Sequence, residues 1–154
     1  MAKAADDDVR VIADNRKARH DYEIFERFEA GIQLFGSEVK SIRAGKVQVA
    51  GAHVRVIGNE AWLVGMHIAE YAFSHQFNHE LERHRKLLLH RREVDKLSAE
   101  LRQNGLAAPL LRVYFRGRNI KVEFGLGRGR KAHDKRQALK THDAQREIAR
   151  HHRG

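Results

Sequence analysis

Residues 111–124 read "LRVYFRGRNIKVEF", and no other stretch constrains the fold as strongly. Leu111, Val113 and Phe115 alternate with Arg112, Tyr114 and Arg116. Gly117-Arg118-Asn119 interrupts, and Ile120, Val122 and Phe124 resume the alternation. Successive side chains of a strand point to opposite faces, so a period of two on both sides of a glycine-bearing turn predicts an antiparallel hairpin with one apolar face. A lone hairpin is marginal in water, so other strands must cover that face.

The rest of the chain supplies them. "VRVIADNRKARHDYEI" offers Val9, Val11 and Ile12 as an anchoring segment, followed by a strand-like run over 20–28. "GIQLFGSEVKSIRAGK" predicts a short strand over 31–34 and then a helix, with Ser37 as N-cap, Val39 and Ile42 as its apolar edge and Gly45 as its stop. "GAHVRVIGNEAWLVG" reads as two strands about Gly58-Asn59, with Val54, Val56, Trp62 and Leu63 in the core. Periodicity fails over 71–85, an exposed excursion in which Tyr71, Phe73 and Phe77 interrupt a polar run. "KLLLHRREVDKLSAELRQNG" is the strongest helical pattern, with Val94, Leu97 and Leu101 in step and Asn104-Gly105 closing it. The sole proline, Pro109, precedes a late strand, where it is tolerated. Six or seven short strands with two helices predict a mainly β fold with helices: a closed or partly closed antiparallel barrel, OB-fold-like and flanked by helices. Residues 1–8 are small or acidic and read as a disordered N-terminus; 9–130 form the barrel domain; 131–154 form a basic tail.

Charge is divided unevenly among these parts. Residues 1–69 carry ten basic and ten acidic side chains, residues 70–127 eleven and seven, and residues 128–154 nine and three. More than half of the formal charge of +10 therefore lies in less than a fifth of the chain. Such a distribution points to a polyanionic partner. There is no cysteine, which excludes disulfides, thiolate chemistry and Cys-ligated zinc. No apolar run has the length of a transmembrane helix, and the first residues lack a secretory pattern, so a reducing cytoplasm with no membrane partner is expected.

Motifs for catalysis are missing. In "NHELERH" the two histidines, His79 and His84, stand five apart, and a zinc protease needs four. His75 and His79 have that spacing but no third ligand, so no metal and no cofactor are expected. "GLGRGRK" has neither the Ser or Thr of a phosphate loop nor the strand-loop-helix setting of a dinucleotide site, and the four serines occupy no nucleophile motif. Basic side chains can nonetheless bind phosphate without chemistry. Two clusters stand out in the body: Arg16, Lys17, Arg19, His20 and Tyr22, and then Lys40, Arg43 and Lys46. The alternative is that each is a solvated face.

The tail has too few apolar residues to pack as a helix on the body, since Leu139 and Ile148 are nine apart. Its composition still favours helix, while repulsion such as that between Arg136 and Lys140 opposes it in isolation. A polyphosphate would remove the repulsion and reward ordering. A merely solubilising tail is the competing reading.

Several stretches together carry a resemblance: "NRKARHDYEI", "GSEVKSIRAGK", "NEAWL", "FNHELERHRKLLLHRREVDKL", "VYFRGRNIKVEFGLGRGRKAHDKR" and "DAQREIAR". In this order and spacing the chain closely resembles the small protein B (SmpB) family, partners of transfer-messenger RNA in bacterial trans-translation. The resemblance implies an oligonucleotide-binding barrel of six strands flanked by helices, with a C-terminal segment unstructured when free and helical on the ribosome. It implies an adaptor, not an enzyme, monomeric when free. Such an adaptor binds the transfer-RNA-like domain of transfer-messenger RNA and delivers it to stalled ribosomes, its tail entering the decoding centre and empty messenger channel.

Carried over by matching residues, the resemblance places Glu38 and Lys40 of "EVKS" on a helix facing the RNA. It places Asn15, Arg16, Lys17, His20 and Tyr22 near the same surface, and the basic clusters add Arg19, Arg43 and Lys46 to the expected RNA contacts. It implies ribosome contacts by Lys131, Asp134, Lys135 and Arg136, stacking by His133 on a decoding-centre base and an apolar contact by Ile148. The neighbouring basic residues Arg128, Arg130, Lys140, Arg146 and Arg150 are expected to contact the ribosome with them. Glu80-Leu81 replaces the family's usual Asp-Pro, and His142 an Arg, without removing a motif on which function depends. Two other readings are set beside it: a ribosomal or DNA-associated structural protein, and a small hydrolase using the His-rich loop.

Overall fold

The computed structural model describes residues 9–70, 81–103 and 105–130. Ten strands and three helices are assigned within them. In chain order these are β1 (Val9–Asp14), α1 (Arg16–Asp21), β2 (Tyr22–Ile32), α2 (Gly36–Arg43), β3 (Val47–Gln48), β4 (His53–Ile57), β5 (Glu60–Val64), β6 (His67–Ile68), β7 (Arg85–Leu88), α3 (Arg91–Leu101), β8 (Leu106–Ala107), β9 (Leu110–Arg116) and β10 (Asn119–Gly129). Of the excursion read over 71–85, residues 71–80 lie outside the described residues, as do 1–8 and 131–154, while Arg85 at its end is buried in β7.

The hairpin predicted at 111–124 is the centre of the structure, where β9 and β10 pair antiparallel from Asn119 opposite Arg116. Gly117 takes a φ of +61°, which the turn requires. The strands assemble as one eight-stranded sheet in the order β1-β9-β10-β2-β7-β5-β4, with β8 paired to β10 off this path and a separate β3–β6 pair.

The expected barrel is not formed. The ladder path ends at β1 on one side and β4 on the other. Only a single bridge, His53 to Pro109, links β4 to the segment before β9, together with backbone bonds from Val54 to Ala108 and from Leu110 to Ala52. Proline has no N–H to extend a ladder, so the seam stops at one bridge.

Other expectations shift locally. Residues 16–21, which include the start of the strand-like run expected over 20–28, form α1. The strand then runs unbroken through 31–32 as β2 and absorbs the first half of the short strand expected at 31–34. The N-cap of α2 is Phe35, not Ser37; its N–H donates to the Glu38 carboxylate at 2.8 Å. The long helix expected from Lys86 begins only at Arg91, because Arg85–Leu88 is a strand whose residues alternate buried and outward.

The core holds Phe28, Ile42, Val54, Leu63, Met66, Ile68, Leu97, Leu110, Val113, Val122 and Phe124, and the Phe28 and Phe124 rings stack at 5.2 Å. Trp62, assigned to the core from sequence, is only half-buried and lies outside it, since Ala61 and Leu63 on either side take the inward positions.

Candidate nucleic-acid interface

Asn15 carries no charge and is buried, yet it fixes the first basic cluster. Its side-chain amide donates to the carbonyls of Val49 at 3.1 Å and Leu110 at 2.8 Å, while its oxygen accepts from the N–H of Ala18. The residue thus caps α1 and ties it to two distant segments. Ala18 packs inward, which turns Arg16, Lys17 and Arg19 to solvent. Arg16 is 89% exposed at the side chain and reaches Asp14 only at 4.0 Å. Arg19 is committed to Asp14, with which it forms a short ion pair. His20 and Tyr22 are half-buried, and the His20 ring meets Asp21 at 3.2 Å.

The second cluster rides on α2. Ser41 and Ile42 are buried, so Lys40 and Arg43 face outward, with Lys46 just beyond the helix. Glu38, expected beside Lys40 on the RNA-facing side, is instead wholly inaccessible. Its carboxylate accepts from Arg83, from Arg85 and from the Phe35 N–H. Burial alone would raise its pKa, but those donors outweigh it and hold the carboxyl below the ordinary range. Glu38 therefore adds no acid to the surface of α2, and it fixes Arg83, whose guanidinium lies 4.1 Å over the exposed Phe35 ring.

Arg43 also joins residues that sequence reading missed. It lies over the Phe115 ring at 6.0 Å, and Arg10 of β1 lies over the same ring at 5.1 Å. With Gly117 and Arg118 these line an open cleft of about 350 Å³. Phe115 has the signature of a core position and is indeed buried, so nothing in the alternation announces that its ring carries two arginines. Arg10 and the start of α1 stand at opposite ends of β1, roughly 15–20 Å apart. A basic rim therefore runs from the Arg10, Arg43 and Arg118 cleft to Arg16 and Lys17.

The face of β9, β10 and β2 beyond this rim is different. Arg27 and Arg112 share Glu123, at 3.4 and 3.2 Å, and Arg116 pairs with Glu29 at 2.6 Å. Tyr114 donates to the same Glu29 carboxylate, and burial together with that acid pushes its hydroxyl pKa up. Acids there neutralise the arginines, whereas Arg10, Lys17 and Arg118 have no acid within pairing distance among the described residues, and Arg16 has only Asp14 at 4.0 Å, which Arg19 already engages. Arg128 is exposed on β10, and the Arg130 N–H donates to the Asp21 carbonyl at 2.8 Å, which ties the end of the body to α1. The remaining tail positions, from Lys131 to Arg150, lie outside the described residues. No group of three potential metal ligands is found among the described residues.

The family model described as "SmpB protein" matches residues 12–154. The chain belongs to the SmpB family. An SsrA-binding protein of Roseiflexus sp. (strain RS-1) is 54% identical over 142 residues, covering 92% of this chain and 90% of that protein. One from Microcystis aeruginosa is 51% identical over 146 residues, covering 94% and 95%. A chain of the solved structure described as "tmRNA-SmpB: a journey to the center of the bacterial ribosome" is 45% identical, with a TM-score of 0.67. That likeness covers 82% of this chain and 93% of the other. SmpB-family likeness therefore takes in α1, α2 and the whole β9–β10 hairpin. It also extends through the basic C-terminal residues.

Proposed function

We propose that this protein is an RNA-binding adaptor of ribosome rescue and not an enzyme. Its folded body binds the transfer-RNA-like domain of transfer-messenger RNA, and residues 131–154 carry that RNA to a stalled ribosome. The rim of outward cations on α1, β1 and α2 carries the reading, because the acids of those elements are either buried or already paired. Guanidinium and ammonium groups on a rigid frame engage phosphates of a folded RNA by position and shape. Membership of the SmpB family and the names of its relatives support the same partner. No helix among the described residues is long and apolar enough to cross a membrane, and a cytoplasmic site of action is part of the proposal.

Within this reading Arg16, Lys17, Lys40, Arg43 and Lys46 touch the RNA, whereas Asn15 and Glu38 act through the elements they hold. Arg19, His20 and Tyr22 support α1 from its paired and half-buried side. Residues 131–154 order as a helix in the decoding centre and vacant messenger channel, with Lys131, His133, Lys135, Arg136 and Ile148 among the contacts. Free protein is monomeric.

Removing residues 131–154 tests this division. Gel shifts with transfer-messenger RNA should be nearly unchanged, while tagging on stalled ribosomes is lost. Arg16→Ala with Lys17→Ala should weaken binding and reduce the salt slope by about 1 for each phosphate contact removed. Truncated protein that no longer shifts the RNA, or equal affinity for a generic hairpin, contradicts the proposal.

A further inference from the structure

Trp62 is the chain's only tryptophan, and it stands on the outer face of β5. Its neighbours Ala61 and Leu63 are 1% and 0% exposed, so the pleat turns the indole outward. The register sets Arg55 of β4 opposite it on one side and Lys86 of β7 opposite it on the other. Directly opposed residues have Cβ atoms about 5 Å apart. A row of cation, indole and cation therefore crosses three strands. Among the described residues the Arg55 guanidinium and the indole N–H have no hydrogen-bond partner. Lys86 leans to Glu60 at 3.4 Å, a partly exposed pair of little strength.

Arg55 also lines a cleft of about 510 Å³ beside the outer edge of β4. His53, Ser98 and Arg102 contribute to it, and no lining residue is acidic. Arg102 is the C-cap of α3 and is exposed, and its guanidinium has no partner among the described residues. An aromatic platform with cations on both sides, next to an acid-free cleft, suits the two halves of a nucleotide. The base face can lie on an indole, and the phosphate can meet a guanidinium fork.

We infer that this face binds an unpaired stretch of RNA, with one base stacked on Trp62 and adjoining phosphates held by Arg55 and Arg102. It is built from β4, β5 and the end of α3, none of which contributes a residue to the rim on α1, β1 and α2. The inference does not rest on the function proposed above, and either can fail alone.

Because there is one tryptophan, its fluorescence in the full chain reports stacking directly. A short unpaired oligouridylate should quench the emission, and a blunt duplex of equal length should not. Anisotropy of a labelled oligouridylate should show about tenfold weaker binding for Trp62→Ala and near-normal binding for Trp62→Phe. Arg55→Ala should lower the salt slope by about 0.7 while leaving the shift of transfer-messenger RNA unchanged. If Trp62→Ala does not fold, Trp62→Phe and Arg55→Ala still decide the matter. Absence of binding, binding without quenching, equal quenching by duplex, or quenching by an acidic peptide in place of RNA would overturn the inference.

Discussion

Glu38 and Arg85, 47 residues apart in the chain, meet at 2.5 Å with neither side chain accessible to solvent. The contact joins α2 to β7. One Glu38 oxygen accepts from Arg83 at 2.6 Å and from the Phe35 N–H at 2.8 Å, and the other accepts from Arg83 at 3.2 Å and from Arg85. Arg85 directs its other N–H groups to the carbonyls of Met66, Arg83 and Leu81. The carboxylate is therefore fully used, which is the condition under which a buried pair is tolerated.

Removing one partner leaves the other charged and buried. Glu38→Ala should cost about 3–5 kcal/mol in urea unfolding. Glu38→Ala combined with Arg85→Met should recover part of that loss, because the double change removes the fully buried ion and leaves unpaired only Arg83, whose side chain is 20% exposed. A double variant no more stable than the single one would contradict this account.

The same carboxylate gives the fold an acid limit. Its folded pKa lies below the ordinary glutamate value of 4.5, so the folded state favours the ionised form. The stabilisation is fully present above about pH 4.5 and is lost as pH falls through the depressed folded value. Urea midpoints measured from neutrality downward should hold steady and then drop in that acid window. Glu38→Gln should start lower and show a shallower drop.

Gly127 sits at the register shift of β10, where a Cβ would come 2.3 Å from the Glu23 carbonyl oxygen and 2.9 Å from Ile24 Cδ1. Backbone cannot yield as a flexible side chain can. Gly127→Ala should destabilise by about 2–3 kcal/mol. At Gly36, the first residue of α2, an added methyl would meet nothing within 4 Å, and Gly36→Ala should be neutral or slightly stabilising in thermal melts.

Asn15 separates capping from anchoring. Asn15→Asp keeps an oxygen for the Ala18 N–H but cannot donate to the carbonyls of Val49 and Leu110. Both Asn15→Asp and Asn15→Ala should therefore lose about 1–3 kcal/mol. Recovery of full stability by Asn15→Asp would mean that the cap alone matters.

Much of this is legible from local pattern. The β9–β10 alternation, the Gly58-Asn59 turn between β4 and β5, and the Val94–Leu97–Leu101 spacing all depend on neighbours in the chain, and each element stands where its pattern puts it. The β7 strand reads as helix because "KLLL" has no polar partner in its alternation to distinguish the two periods. Charge placement likewise marks Lys40 and Arg43, but not the convergence of Arg10, Arg43 and Arg118 on Phe115, which comes from three separate elements.

The order of residues thus carries the strand-rich character, the turns, the family and the concentration of positive charge towards the C-terminus. Packing in three dimensions settles that Trp62 faces out while Arg85 faces in, that Glu38 is buried beneath a basic helix, and that the sheet stays open at Pro109. The division has a physical cause: periodicity is set by residues a few positions apart, whereas register and the compensation of a buried charge depend on partners tens of residues away.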